Sequence, residues 1–184
     1  NQSPLFEYGR FVRKIDKRYL VDYIITWLES TNVPVDYHYD YYDYRVQKLV
    51  NVIYHTIMRQ GSNLQELKLN YHGIPLIKFS HYFPKAFIFT TYKPGITNLR
   101  SLNAGVVFEN SGRGQNIIEF LSMVSKICNG IVNCELWIPK SSELNSVFIE
   151  PLLDIIMLQP LERISIIDKN DDVKKITDSL KFRS

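Results

Sequence analysis

A chain of 184 residues with 45% apolar side chains can bury one substantial core, which excludes intrinsic disorder as a description of the whole. Its 22 basic and 19 acidic side chains nearly cancel to a formal charge of +3, so composition offers no one-signed field for holding a nucleic-acid backbone. The two cysteines, Cys128 and Cys134, are too few for a disulfide framework, the charged N-terminus lacks the form of a signal peptide, and no apolar run approaches the roughly 18 residues of a membrane span.

An intracellular location, cytoplasmic or nuclear, is therefore expected, with no membrane partner. The chain opens on Asn1, so the start of the natural protein is expected to be missing.

Arg10, Arg13, Lys14, Lys17 and Arg18 form the only local cluster of positive charge, expected as a solvated face or as a contact for an N-terminal module or an acidic partner. Tyr19, Leu20, Tyr23, Ile24, Trp27 and Leu28 then recur at helical spacing and predict a first helix with that stripe inward and Asp16 as its N-cap. Pro34 and the alternation of Tyr, His and Asp around it predict a loop over 30–44. A second helix is predicted over about 44–60, with Val46, Leu49, Val50, Ile53 and Ile57 on one face and Gly61 as its C-cap.

From Asn63 onward an apolar-x-x-apolar-x-apolar unit recurs: Leu64, Leu67, Leu69; Leu99, Leu102, Ala104; Ile131, Cys134, Leu136; Leu161, Ile164, Ile166. These four copies start 35, 32 and 30 residues apart, longer than the roughly 20 to 29 usual for leucine-rich repeats. The interval 70–97, with Pro75, Pro84 and Pro94, predicts irregular structure and at most one short helix. Ile117, Ile118, Leu121, Val124, Ile127 and Cys128 predict a helix that ends before Gly130. Another is predicted over about 142–158, with Leu144, Val147, Phe148, Leu152, Ile155 and Ile156 inward, Pro151 as a kink and Pro160 just beyond. Val173, Ile176 and Leu180 give 171–182 the spacing of one more helix, so the array is expected to be cut off at its C-terminal end.

The expected fold is α/β: an irregular leucine-rich-repeat solenoid over 63–184, parallel strands alternating with helices, preceded by a two-helix cap region over 1–62. One repeat cannot bury its own apolar edge, whereas stacked repeats form a continuous surface that presents the intervening side chains. Those side chains are Glu66, Lys68, Asn70; Ser101, Asn103, Gly105; Asn133, Glu135, Trp137; Arg163, Ser165, Ile167. Trp137 beside Ile167 with Arg163 near has the composition of an interface anchor. With Glu135 and Lys68 these are the candidate partner-binding residues.

Chemistry has little to work with. His38, His55, His72 and His81 are scattered with no i, i+4 pair, so no metal site is predicted. Cys128 and Cys134 are expected as buried thiols rather than a redox pair. No serine carries a nucleophile signature, and Gly112-Arg113-Gly114 lacks the Lys-Ser/Thr that a phosphate loop needs. Tyr37, Tyr39, Tyr41, Tyr42 and Tyr44 alternate with His38, Asp40 and Asp43, which attract no phosphate, so nucleic-acid binding is not expected. The chain is expected to be no enzyme and to need no cofactor.

Four stretches carry a resemblance: SPLFEYGRFVRKIDKRYLVDYIITWL at 3–28, the Gly61-Ser62-Asn63-Leu64 turn before ELKL, GIPLIKFSHYFPKA at 73–86, and the Ile127-Cys128-Asn129-Gly130 turn before NCELWI. In these the chain resembles the large set of F-box and leucine-rich-repeat-like proteins expanded in fungi, over most of its length. In that family an F-box, which docks on the Skp1-type adaptor of a cullin ubiquitin ligase, precedes a region similar to this one. The F-box is absent here, and residues 3–28 look like the segment that follows it. The resemblance implies the substrate-recognition part of such an adaptor, one that selects proteins for ubiquitination. His72, Val107, Pro139 and Lys169 stand where the standard repeat has Asn or Cys, so the usual asparagine ladder is not expected. A stand-alone repeat scaffold or tethering protein with no ubiquitin-ligase role is the alternative that the residues leave open.

Overall fold

A computed structural model describes residues 8–31, 43–61, 63–69, 84–105, 114–138 and 146–168. The elements run as follows: a 3-10 turn at Tyr8–Phe11, β1 (Lys14–Asp16), α1 (Lys17–Ser30), α2 (Tyr44–Arg59), β2 (Glu66–Lys68), a 3-10 turn at Ala86–Phe89, β3 (Ser101–Gly105), α3 (Gly114–Ile127), β4 (Asn133–Ile138), α4 (Ser146–Leu158) and β5 (Arg163–Asp168). The five strands form one parallel sheet in chain order, β1 to β5. Parallel neighbours require a crossover between them, and here each crossover carries helical structure.

Register follows the repeat spacing read from the sequence. Leu67, Leu102, Cys134 and Ile164 lie side by side, as do Glu66, Ser101, Asn133 and Arg163. One backbone device recurs at every junction: the carbonyl just before each of β1 to β4 accepts two successive amides of the next unit. Arg13 O takes Gln65 and Glu66 N–H, Gln65 O takes Arg100 and Ser101, Arg100 O takes Val132 and Asn133, and Val132 O takes Glu162 and Arg163, all at 2.8–3.1 Å. The same bend in each unit makes the stacking repetitive even where the crossovers differ in length.

The sheet begins earlier than the periodicity places it. Val12, Ile15 and Lys17 form a further copy of the unit, and β1 pairs with β2 from within the region expected to be a purely helical cap. Lys17 disguises the copy because it stands where the other units carry Leu69, Ala104, Leu136 and Ile166. It is only 2% exposed, so its expected place on a solvated basic face is overturned: the unit's last inward position forces its side chain into the core.

Helix α1 starts at the predicted cap, Asp16, whose carboxylate accepts from Arg18 N–H at 3.0 Å. Its inward stripe is rotated from the expected one. Val21, Ile24, Ile25 and Leu28 are buried, while Tyr19, Tyr23 and Trp27 are 60%, 73% and 56% exposed. Both stripes share Ile24 and Leu28, and the aliphatic set prevails because it closes an i, i+3, i+4, i+7 face against the sheet.

Helix α2 has the predicted bounds within a residue. Asp43 caps its start, and Gly61 at φ 73 closes its end with a bond to Met58 O at 3.0 Å. At its centre Tyr54, absent from the expected stripe, is fully buried and meets Phe89 edge-on at 5.5 Å; Phe89 in turn meets Phe120 of α3 at 5.1 Å. This aromatic run ties successive crossovers together.

Helix α3 buries Ile117, Leu121, Val124 and Cys128 as expected, and also Phe120. Helix α4 is described over Ser146–Leu158, with Pro151 inside it and Leu152 and Ile155 buried; residues 142–145, where the helix was expected to start, and the side chains of Val147 and Phe148 lie outside the described residues. Within 70–97 the described part holds only the Ala86–Phe89 turn. The tyrosine-rich loop up to residue 42, Asn70, Gly112-Arg113, the positions of His72, Val107, Pro139 and Lys169, and the helix predicted over 171–182 lie outside the described residues.

The core joins one face of the sheet to the helices, which contact each other in chain order from α1 to α4 through the Ala86–Phe89 turn. Among the described residues the other face is open.

Candidate protein-interaction face

Alternate residues of a strand point to opposite sides, so the open face is made of rows running across the strands. The first row is Lys14, Glu66, Ser101, Asn133 and Arg163. The second is Asp16, Lys68, Asn103, Glu135 and Ser165, and the third is Gly105, Trp137 and Ile167. A depression of about 270 Å³ lies over the first two rows from β2 to β5.

The β1–β2 end is electrostatically occupied. Lys14 Nζ and Lys68 Nζ approach the same Glu66 Oε1, at 2.9 and 3.3 Å. Burial alone would push the Glu66 carboxyl up, but the hydrogen bonds and charges of Lys14 and Lys68 outweigh it and hold the carboxyl below the ordinary range. The hydrogen bond and charge of Glu66 raise the Lys14 ammonium in turn. Lys14 and Asp16, both from the unit that the periodicity misses, extend the face by one strand.

Asn103 Oδ1 is buried without a donor among the described residues. Arg163 is exposed and forms no ion pair among them. The indole Nε1–H of half-buried Trp137 donates to Glu135 Oε1 at 2.8 Å.

All five candidate residues fall on this face, but the structure groups them differently from the expectation. Trp137 and Ile167 are register partners. Arg163 instead faces Asn133, four residues along β5 from Ile167, roughly 13 Å away at about 3.3 Å per residue. Glu135 takes the place beside Trp137 that Arg163 was expected to hold, because residues two apart on one strand share a face. Lys68 lies across Asn103 from Glu135.

Cys128 and Cys134 are free and buried, and burial pushes both thiols up to about 12, far from the thiolate that redox or nucleophilic work uses. His55 meets the Tyr92 hydroxyl at 2.7 Å with its ring edge-on to the tyrosine. Among the described residues no three His, Cys, Asp or Glu side chains are grouped to hold a metal ion, and no helix is long and apolar enough to cross a membrane.

No protein-family model, curated protein or solved structure matches the chain.

Proposed function

We propose that this chain is a protein-protein interaction scaffold, an irregular leucine-rich-repeat solenoid whose open sheet face holds a protein partner. We further propose that it forms the substrate-recognition part of an F-box-type adaptor of a cullin-RING ubiquitin ligase in the cytoplasm or nucleus. The observation that carries the first reading is the row structure of the face. A half-buried tryptophan, an adjoining aliphatic residue and polar side chains stand on an in-register sheet, which is the composition of an interface with an anchor and a polar rim. Trp137, Ile167, Glu135, Arg163 and Lys68 are the contact residues. The ligase role rests on the resemblance over 3–28 and the repeat turns, with the Skp1-type adaptor bound through an F-box upstream of Asn1. The scaffold uses no cofactor, nucleic acid or membrane.

Affinity capture of the full-length protein, with and without the residues upstream of Asn1, tests both levels. Recovery of a Skp1-type adaptor and cullin that depends on the upstream segment supports the ligase role. If the intact protein recovers neither, the stand-alone scaffold takes its place. Loss of the remaining partners on Trp137→Ala supports the face, and their retention removes it.

A further inference from the structure

We infer that the partner of this face presents an aspartate or glutamate side chain, whose carboxylate seats on the first row over β3 to β5, held by the Arg163 guanidinium with the Asn133 amide and the Ser101 hydroxyl beside it. The inference rests on the interaction reading above and specifies the chemistry of the guest.

The row sets the geometry. Ser101, Asn133 and Arg163 are register partners on neighbouring parallel strands, so at about 4.8 Å per strand they span about 10 Å. All three line the depression of about 270 Å³, which leaves space above them for a guest. Asn133 and Arg163 are exposed and Ser101 is partly so. None of these three side chains makes a hydrogen bond or ion pair among the described residues. Their backbones are held by the carbonyls of the preceding unit, Gln65 O for Ser101, Arg100 O for Asn133 and Val132 O for Arg163.

Charge selects the guest. A guanidinium has five N–H donors and no acceptor, in a planar fork that matches a carboxylate. Lys68, the other cation of the depression, is drawn to Glu66 together with Lys14, so among the described residues Arg163 is the depression's one cation without a carboxylate. Glu135 lies in the second row, opposite Ser165, and its carboxylate meets the Trp137 indole of the third row at 2.8 Å, on the side away from Asn133. With Glu66 and Glu135 both at the depression, a guest of one negative charge is favoured over a phosphate group, which carries nearly two.

The test is selection of displayed random peptides on the full chain, followed by Kd measurements with individual synthetic peptides. The expected result is a set of peptides that share an aspartate or glutamate. Arg163→Glu should weaken them by at least about tenfold, exchange of the shared acid for lysine should do the same on the parent chain, and the two changes together should restore binding. Arg163→Lys should keep part of the affinity, because the charge stays and the fork is lost. Arg163 is exposed, so these replacements leave the core intact, which an unchanged urea midpoint verifies.

Selected peptides without a shared acid overturn the inference, as does a shared acid whose exchange for lysine is not rescued by Arg163→Glu. Tighter binding when phosphoserine replaces the shared acid also overturns it. Trp137→Ala separates this failure from that of the broader reading. Peptides weakened by Trp137→Ala and indifferent to Arg163→Glu refute the carboxylate seat and leave the interaction face standing. If no peptide is selected, or none responds to either replacement, both fall.

Discussion

Lys17 occupies in the first unit the place that Leu69 occupies in the second, and each is only 2% exposed. Burial pushes the Lys17 ammonium down from 10.5 to about 8, so the folded protein releases this proton before the unfolded chain does. Below about pH 8 both states hold the proton, and the folded state carries the net cost of taking the charge out of water. Between about 8 and 10.5 the unfolded chain binds more protons, so stability rises with pH. Lys17→Met should therefore add about 1–3 kcal/mol at pH 7 and flatten that rise. Urea unfolding at pH 7 and pH 10 checks it; equal gains at both pH values would sink the idea.

Tyr54 puts a hydroxyl in the middle of the α2 packing with no partner among the described residues, and burial, with the Asp16 carboxylate adding to it, drives its pKa far upward. Tyr54→Phe keeps the ring against Phe89 and deletes only the orphan group. Stability should rise by about 1 kcal/mol, read from the denaturation midpoint at unchanged slope. A clear loss would mean that the hydroxyl has a partner in solution.

Asp43 caps α2 through Arg45 N–H at 2.9 Å and also pairs with the Arg45 guanidinium at 2.6 Å. That guanidinium holds the Asp43 carboxyl below its ordinary 3.8, so the stabilisation is complete above pH 3.8 and is lost as pH falls through the lower folded value. Asp43→Ala should cost about 1–2 kcal/mol at pH 7. The difference from the parent should shrink in strong acid, and a cost independent of pH would contradict the account.

Gln159 is buried at the end of α4, where it donates to Cys128 O at 2.6 Å and accepts from Ile131 N–H at 3.3 Å. Gln159→Ala leaves both backbone groups unpaired, at a cost of about 1–3 kcal/mol. Hydrogen exchange at the Ile131 amide should accelerate more than at the Leu102 amide; equal protection in parent and variant would show the bonds to be unimportant.

The strands from β2 to β5 were legible because their inward residues are aliphatic or thiol-bearing at fixed spacing, and the register follows from aligning them. The first strand was not, because a lysine interrupts the pattern at the position where apolar character carries the signal. The α1 face was misjudged by one step because tyrosine and tryptophan count as apolar in a periodicity yet tolerate solvent. At the candidate site the alternation placed Trp137, Ile167, Glu135, Arg163 and Lys68 on one surface. It could not tell that Glu135, two residues from Trp137, is the indole's acceptor, or that Asn103 Oδ1 has no donor among the described residues; both depend on side-chain rotamers.

The carbonyl that receives two amides before each of β1 to β4 separates what must stay fixed from what can change. It fixes the spacing of the units within a few residues of each strand, while the crossovers behind it vary in length with no effect on which residues stand beside one another. Lengthening a crossover should therefore leave the contact rows in register. A single residue inserted between Leu99 and Leu102, or between Ile131 and Cys134, would instead turn a strand over and erase its share of the surface.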